Sequence, residues 1–365
     1  MSQSLPLRRA QRSDLDQLVA LESRCFTSDK ISRRSFRQFL ESDLNQVLVA
    51  GEIPVAYLLL LFRRGTSMAR IYSLAVDESH RGQGLARRLL QAAEQNALER
   101  RILFLRLEVA TTNHAAIALY QAMGYHPIKR LSGYYQDGSD GLRLEKRLGR
   151  NLAKPERLDF YAQTTDFTCG PAAAIMAMRH LDPVLQLGRI DEINLWREAT
   201  TVFMTQGHGG CSPQGLALAL TKRDYDVRLL QSSDRIPFID SVRNPDKKAV
   251  IELTHYHFID ELKNRCTPCE TTSIDEAELR QAFNEGFEIL LLISTYQLNR
   301  NKAPHWVWLV ALDDQFAYIN DPDINSAEHC SSLDNVHIPI PLISLKKLLG
   351  YGKHTYRAAV LFRNK

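Results

Sequence analysis

Arg81-Gly82-Gln83-Gly84-Leu85-Ala86 joins a strand-like run, Arg70 to Val76, to a helical pattern in which Leu85, Leu89, Ala93 and Ala97 recur every four residues. That junction commits the first half of the chain to a sheet with helices packed on it. The apolar period switches across one short loop. Two glycines at this spacing let backbone N–H groups converge on an anion without interference from a Cβ, and the following helix points its positive end at the same place. A plain tight turn has the same composition. The order of elements before the loop (helix, helix, hairpin, strand) favours the anion cradle.

A second signature lies in the other half. Thr168-Cys169-Gly170-Pro171 opens a helix running through Ala172, Ile175 and Met176 to His180, with Pro171 suited to its first turn. Cys169 then sits at a helix N-terminus, where the dipole and free N–H groups favour the thiolate. With 365 residues the chain exceeds one ordinary core. The polar stretch Leu148 to Leu158 marks the expected boundary, giving domains 1–148 and 158–365 with a linker at 149–157.

Composition narrows the classes. An apolar fraction of 44% beside 24% charged residues is that of a globular protein. A net charge of +4 from 46 basic and 42 acidic residues gives no basis for nucleic-acid binding. The pairs Arg63-Arg64, Arg87-Arg88 and Arg100-Arg101 read as solvated faces. The N-terminus lacks a signal-peptide pattern, and runs such as Val55 to Phe62 fall far short of the roughly 20 residues that span a bilayer. A cytoplasmic protein without membrane contact is expected, and six cysteines without regular spacing suit reduced thiols.

In the first domain, Ser13-x-x-Asp16 predicts a capped amphipathic helix over Leu15 to Leu21, and a second helix is expected over Ser35 to Glu41. Strands follow at Gln46 to Ala50 and Val55 to Phe62, turned by Gly51-Glu52-Ile53-Pro54. In the strand Leu103 to Val109, Phe104, Arg106 and Glu108 share one face. Asn113 fits an N-cap, Gly124 a helix stop, and Tyr120 lies between them. A carboxylate is a sensible base for an α-ammonium that must lose a proton before attacking a thioester, and a phenol can protonate the departing thiolate. Each also has a plain reading, Glu108 as a satisfied edge carboxylate and Tyr120 as a core tyrosine.

These residues resemble the GNAT superfamily of acetyl-CoA-dependent N-acetyltransferases over about the first 148 positions. Leu107-Glu108-Val109, Asn113, Ala116 to Tyr120 and Gly124-Tyr125 are most similar to the ribosomal-protein alanine N-acetyltransferases, which acetylate protein N-termini. The resemblance implies that Leu74, Ala75, Val76, Arg81, Gly82, Gln83, Gly84, Leu85 and Ala86 hold acetyl-CoA and that Asn113 contacts it. It also implies Glu108 as general base, Tyr120 as general acid and a peptide or protein amine as acceptor. Ala110 departs from the arginine common in that subfamily, which bears on the protein substrate.

In the second domain, Pro304 to Val310 reads as a strand beginning at His305, and Asp313-Asp314-Gln315 turns it back through Phe316 to Asn320. Such a hairpin sets Asp321 near His305, where its carboxylate can orient the imidazole. Gln163, six residues before Cys169, is positioned to offer a side-chain N–H to an oxyanion. Tyr161 to Asp323 resembles the papain-like cysteine peptidases that process double-glycine bacteriocin leaders, on Gln163, Cys169-Gly170-Pro171-Ala172, the helix after Gly210-Cys211-Ser212-Pro213, His305 and Asp321-Pro322. Transporter segments are lacking, so a bacteriocin leader is not the obvious substrate. The expected fold is thus α+β: a GNAT fold with a mixed central sheet flanked by helices, then a papain-like α+β domain.

Weaker signals are set aside. Cys266-Thr267-Pro268-Cys269 near His255 and His257 reads as free thiols and not as zinc ligands, so no metal is expected. Gly207 to Cys211 reads as a loop, and Trp306 and Trp308 as core. Two alternatives stay open for the second domain: a peptide-binding module that does not cut, and a ligase or transpeptidase that passes the acyl group from Cys169 to an amine.

Overall fold

The computed structural model describes residues 5–148, 160–201, 209–299, 303–324, 332–352 and 354–365. The chain divides into two compact units, Met1–Leu152 and Ala153–Lys365. The linker expected at 149–157 and the first two residues of the loop expected at 207–211 lie outside the described residues.

The first unit runs β1 (Leu7–Arg9), α1 (Leu15–Cys25), α2 (Arg33–Glu41), β2 (Asn45–Ala50), β3 (Ala56–Phe62), β4 (Met68–Val76), α3 (Leu85–Glu99), β5 (Phe104–Ala110), α4 (His114–Ala122), β6 (His126–Leu131) and β7 (Gly141–Arg147). Its sheet has the order β1-β2-β3-β4-β5-β7-β6. Only the β4–β5 pair is parallel, with α3 as its crossover. One face of the sheet buries Leu85, Leu89, Ala93 and Ala97 of α3, as their period required; the other packs Leu18 and Leu21 of α1 and Phe36 of α2. The start of α1 differs from the Ser13-x-x-Asp16 capping expected. A 3-10 turn over Arg12–Asp14 precedes the helix, and the buried Asp14 accepts from Gln11 N–H at 2.7 Å and from Arg8. Asp16, the acceptor expected in that box, pairs instead with Arg33 of α2.

The second unit contains α5 (Cys169–Leu181), α6 (Arg189–Ala199), α7 (Pro213–Thr221), β8 (Tyr225–Gln231), α8 (Pro245–Asn264), β9 (Cys269–Thr271), α9 (Glu276–Asn284), β10 (Glu288–Ser294), α10 (Tyr296–Asn299), β11 (Pro304–Leu312), β12 (Phe316–Asn320), β13 (Ile338–Pro341), α11 (Leu342–Leu348) and β14 (Ala358–Asn364). The sheet order is β13-β12-β11-β10-β14-β8-β9. Alternate residues of β10 and β11 serve two cores: Leu290, Leu292, Trp306 and Trp308 meet α5 and α7, while Ile289, Leu291 and Val307 meet α9 and α11. Both faces are covered, so β10 reads as an unbroken apolar run. Two glycines are fixed by close approach. A Cβ on Gly215 would lie 2.3 Å from the Ala199 carbonyl where α7 crosses α6, and one on Gly170 would lie 3.1 Å from the Trp306 ring.

Candidate active sites

In the first unit, β4 and β5 pair only from Met68↔Phe104 to Ile71↔Leu107. Beyond that point β4 stays on β3 as far as Val76, whereas Glu108 to Ala110 stay on β7. The strands part, and Tyr72 to Val76 with Glu108 to Ala110 line a wedge in the sheet. The bulge at Leu59–Leu60 against Ser73–Ile71 leaves Tyr72 as the extra residue beside it. The glycine loop closes one end. Gly82 and Gly84 both have φ near +75°, at +76° and +74°, and a Cβ at either would meet nothing within 4 Å. Gly84 caps α3 without a side-chain acceptor, so the N–H groups of Leu85, Ala86 and Arg87 have no intrahelical partner. An uncapped helix start, open space over two glycines and an unpaired strand edge fit a pyrophosphate and the extended arm behind it. Acetyl-CoA, the cofactor of GNAT enzymes, has this shape.

Glu108 is neither a solvent-facing nor a free carboxylate. Arg70 Nε donates to Oε2 at 2.7 Å and Arg143 Nε to Oε1 at 2.5 Å, with the Glu108 side chain 4% exposed. Arg143 sits directly opposite Glu108 on β7, and Arg70 also donates to the Tyr134 hydroxyl at 2.8 Å. Sequence reasoning missed both arginines; the one available signal was an arginine at an inward position of a strand, Arg143 between Leu142 and Leu144. Tyr120 lies on α4 against Tyr125, with ring centroids 5.9 Å apart, and burial pushes its phenol up to about 12. It therefore stays protonated throughout the physiological range. Asn113 caps α4, its side-chain oxygen accepting from Ala116 N–H at 3.1 Å.

In the second unit, α5 delivers Cys169 as its first residue, 6% exposed, behind the N-cap Thr168. His305 begins β11 and is 6% exposed; its Nε2 lies 2.7 Å from Asp321 Oδ1. The Cys169 sulfur acts on the same imidazole, helping to raise its affinity for a proton. Cys169 thus comes within electrostatic reach of His305 although 136 positions separate them in the chain. Burial alone pushes the His305 imidazolium toward losing its proton. The Asp321 carboxylate and the Cys169 sulfur oppose it through charge and hydrogen bonding, and they hold the imidazole well above its ordinary value.

The surroundings are built to hold this cluster. Gln163 N–H donates to the Pro322 carbonyl at 3.0 Å, tying the loop before Cys169 to the one after Asp321. The Gln163 side-chain oxygen is buried without a hydrogen-bond partner among the described residues. Asn335 donates to the Asp321 carbonyl at 2.9 Å and accepts from Asp321 N–H at 2.9 Å. Glu192, fully buried, accepts from the Tyr161 hydroxyl, Thr164 N–H and the Thr164 hydroxyl, each at 2.8 Å, and from the Thr168 hydroxyl. Four hydrogen bonds to one carboxylate fix the loop that presents Cys169. Neither Glu192 nor Asn335 was foreseen. Elsewhere, Cys266 and Cys269 are exposed free thiols, and no group of three metal-ligating side chains exists among the described residues. No helix is long and apolar enough to cross a membrane among them either.

A cysteine at a helix start joined to a strand histidine and a turn aspartate defines a thiol-peptidase-like module, and it follows an acetyltransferase-like wedge. The chain belongs to the Peptidase_C39 like family, whose model matches residues 158–363, and it carries an acetyltransferase (GNAT) family domain matched over 15–125. It is similar to an N-alpha-acetyltransferase of Saccharolobus solfataricus, 36% identical over 94 residues, which are 24% of this chain and 51% of the relative. A putative ribosomal protein bS18-alanine N-acetyltransferase of Bacillus subtilis is 27% identical over 154 residues, 39% of this chain and 95% of the relative. The crystal structure of the Escherichia coli ribosomal-protein-S18-alanine N-acetyltransferase aligns at 25% identity and TM-score 0.36, over 41% of this chain and 99% of that one. The match spans about half the length of the first of these relatives.

Proposed function

We propose that the chain is a bifunctional enzyme: an acetyl-CoA-dependent N-acetyltransferase acting on a peptide or protein amine, followed by a cysteine peptidase. The contact of Cys169, His305 and Asp321 carries the second half of this reading, and the wedge beside Glu108 the first.

In the peptidase, the Cys169 thiolate attacks a peptide carbonyl carbon and the C=O electron pair moves onto oxygen. The Gln163 side-chain NH2 and the Cys169 backbone N–H, the first in α5, donate to that oxyanion. The C–N bond then breaks as His305 gives its proton to the leaving amine, leaving a thioester on Cys169. Water, losing a proton to His305, hydrolyses that thioester and restores the thiolate. Asp321 orients the imidazole throughout.

In the first unit, acetyl-CoA supplies an acyl thioester. The N–H groups of Leu85 to Arg87 bind its pyrophosphate over Gly82 and Gly84, and the open edge at Leu74, Ala75 and Val76 takes the arm. With acetyl-CoA bound, the amine nitrogen would bond to the acetyl carbon as the C–S bond breaks; Glu108, its charge fixed in place by Arg70 and Arg143, would accept the amine proton through water, and Tyr120 would protonate the departing sulfur. Acetyl-CoA and reduced thiols are both cytoplasmic, which favours that compartment. Cys169→Ala tests the pairing of activities: peptide cleavage should vanish while acetyl transfer and peptide binding persist. Unchanged cleavage in that variant would contradict the assignment.

A further inference from the structure

The loop after β8 and the turn before β14 flank an open surface pocket of about 360 Å³ lined by Ser232, Ser233, Arg235, His354, Thr355 and Arg357. Its walls are two guanidiniums, an imidazole and three hydroxyls. Arg357 Nε is closed to water and has no hydrogen-bond partner among the described residues. Among the described residues neither arginine pairs with a carboxylate there: Asp234 accepts from Gln231 Nε2 at 3.2 Å and from the Thr271 hydroxyl, and Asp240 lies 3.7 Å from His354. Thr355 is held at φ +50°, a conformation costly for a β-branched residue, in a turn closed by the Tyr351↔Tyr356 bridge. Two guanidiniums with no carboxylate partner among the described residues, beside a pocket lined by hydroxyls, make a site for an anion.

The pocket lies at the end of the sheet where His305 starts. Ile293 pairs with His305 across β10–β11, and Ala358 pairs with Gln231 across β14–β8. The ladder extends one step further, Ser232 N–H donating to the Arg357 carbonyl at 3.0 Å. Arg357 is thus two strands from His305 and Ser232 three, about 10 to 14 Å at the usual strand spacing. An extended peptide covers that span in three to four residues at about 3.3 Å each.

We propose that this pocket binds an anionic group of the peptide substrate, an acidic side chain or a terminal carboxylate, three to four residues from the bond that Cys169 attacks. The assignment rests on the peptidase reading for its substrate, but not for the anion site itself. The test uses the full chain carrying Cys169→Ala, so that binding is read without cleavage. Inorganic phosphate should raise the melting temperature of the second unit above that in chloride of equal ionic strength, and Arg357→Ala or Arg235→Ala should remove the rise. A synthetic peptide library, half amidated at the C-terminus and half with glutamine for each acidic residue, is then passed over the immobilised protein. Retained peptides should carry a carboxylate, and each arginine variant should retain them about tenfold less well. Acidic but amidated peptides among those retained identify a side chain; retention only of free acids identifies the terminus. No phosphate effect, or one that survives both substitutions, would overturn the anion site. A phosphate effect without preference for anionic peptides would overturn its assignment to the substrate. Failure of the wild-type chain to cleave any peptide would count against the peptidase reading alone.

Discussion

The Glu108 carboxylate receives a guanidinium on each oxygen, and the side chains of Arg70 and Arg143 are only 11% and 1% exposed. At such burial the ion pairs are structural as well as chemical, because removing one partner strands charge away from water. Glu108→Ala should therefore destabilise the first unit by about 3–5 kcal/mol in denaturant unfolding. Glu108→Gln should lower turnover at neutral pH and recover part of it at higher pH, where the amine deprotonates unaided. A rate unchanged across pH would remove Glu108 from the proton path. His305 gives a second prediction. Its folded-state value is raised, so its contribution to stability is fully present below the unfolded value of about 6.5 and is lost as pH rises through the folded value. Asp321→Asn should bring that loss to lower pH, measured as the melting temperature of the second unit from pH 6 upward. The same substitution should slow cleavage less than His305→Ala, since the base itself remains.

Local chemistry made several elements legible in the sequence. The glycine loop before α3, Asn113 as the cap of α4, Cys169 at the head of α5 and the hairpin joining β11 to β12 each depend on neighbours within a few residues. What surrounds the sites was not legible, because it arrives from distant strands and helices. Arg70 reaches Glu108 across 38 positions, Glu192 reaches Thr168 across 24, and Asn335 reaches Asp321 across 14. Nothing in a helix segment such as Asp191-Glu192 distinguishes a buried carboxylate with four donors from a solvated one. At this scale the glycines are the sharpest test. Gly84→Glu should cost the first unit about 1–2 kcal/mol, the strain of a side chain held at φ +74°, and leave it folded since no atom obstructs the Cβ, yet abolish measurable acetyl-CoA binding by setting a carboxylate at the anion cradle. Gly215→Ala should behave oppositely, costing about 1–3 kcal/mol or more in stability because its Cβ meets the α6 backbone.

Two sheets, each covered on both faces by its own helices, give each unit a core that needs nothing from the other. Residues 1–152 expressed alone should fold and gain thermal stability with acetyl-CoA, as binding to the folded state alone requires. An insoluble or cofactor-blind fragment would contradict that independence. Joining an acetyltransferase domain to a peptidase-like one also suggests a sequence of events, in which cleavage exposes an α-amine and the first unit acetylates it. The most direct measurement incubates a peptide library with the whole chain and with its Cys169→Ala variant, each with and without acetyl-CoA, and reads the products by mass. The account predicts shortened peptides only when Cys169 is present, and peptides one acetyl group heavier at the α-amine only when acetyl-CoA is present. Identical products from the wild-type and Cys169→Ala chains would contradict it.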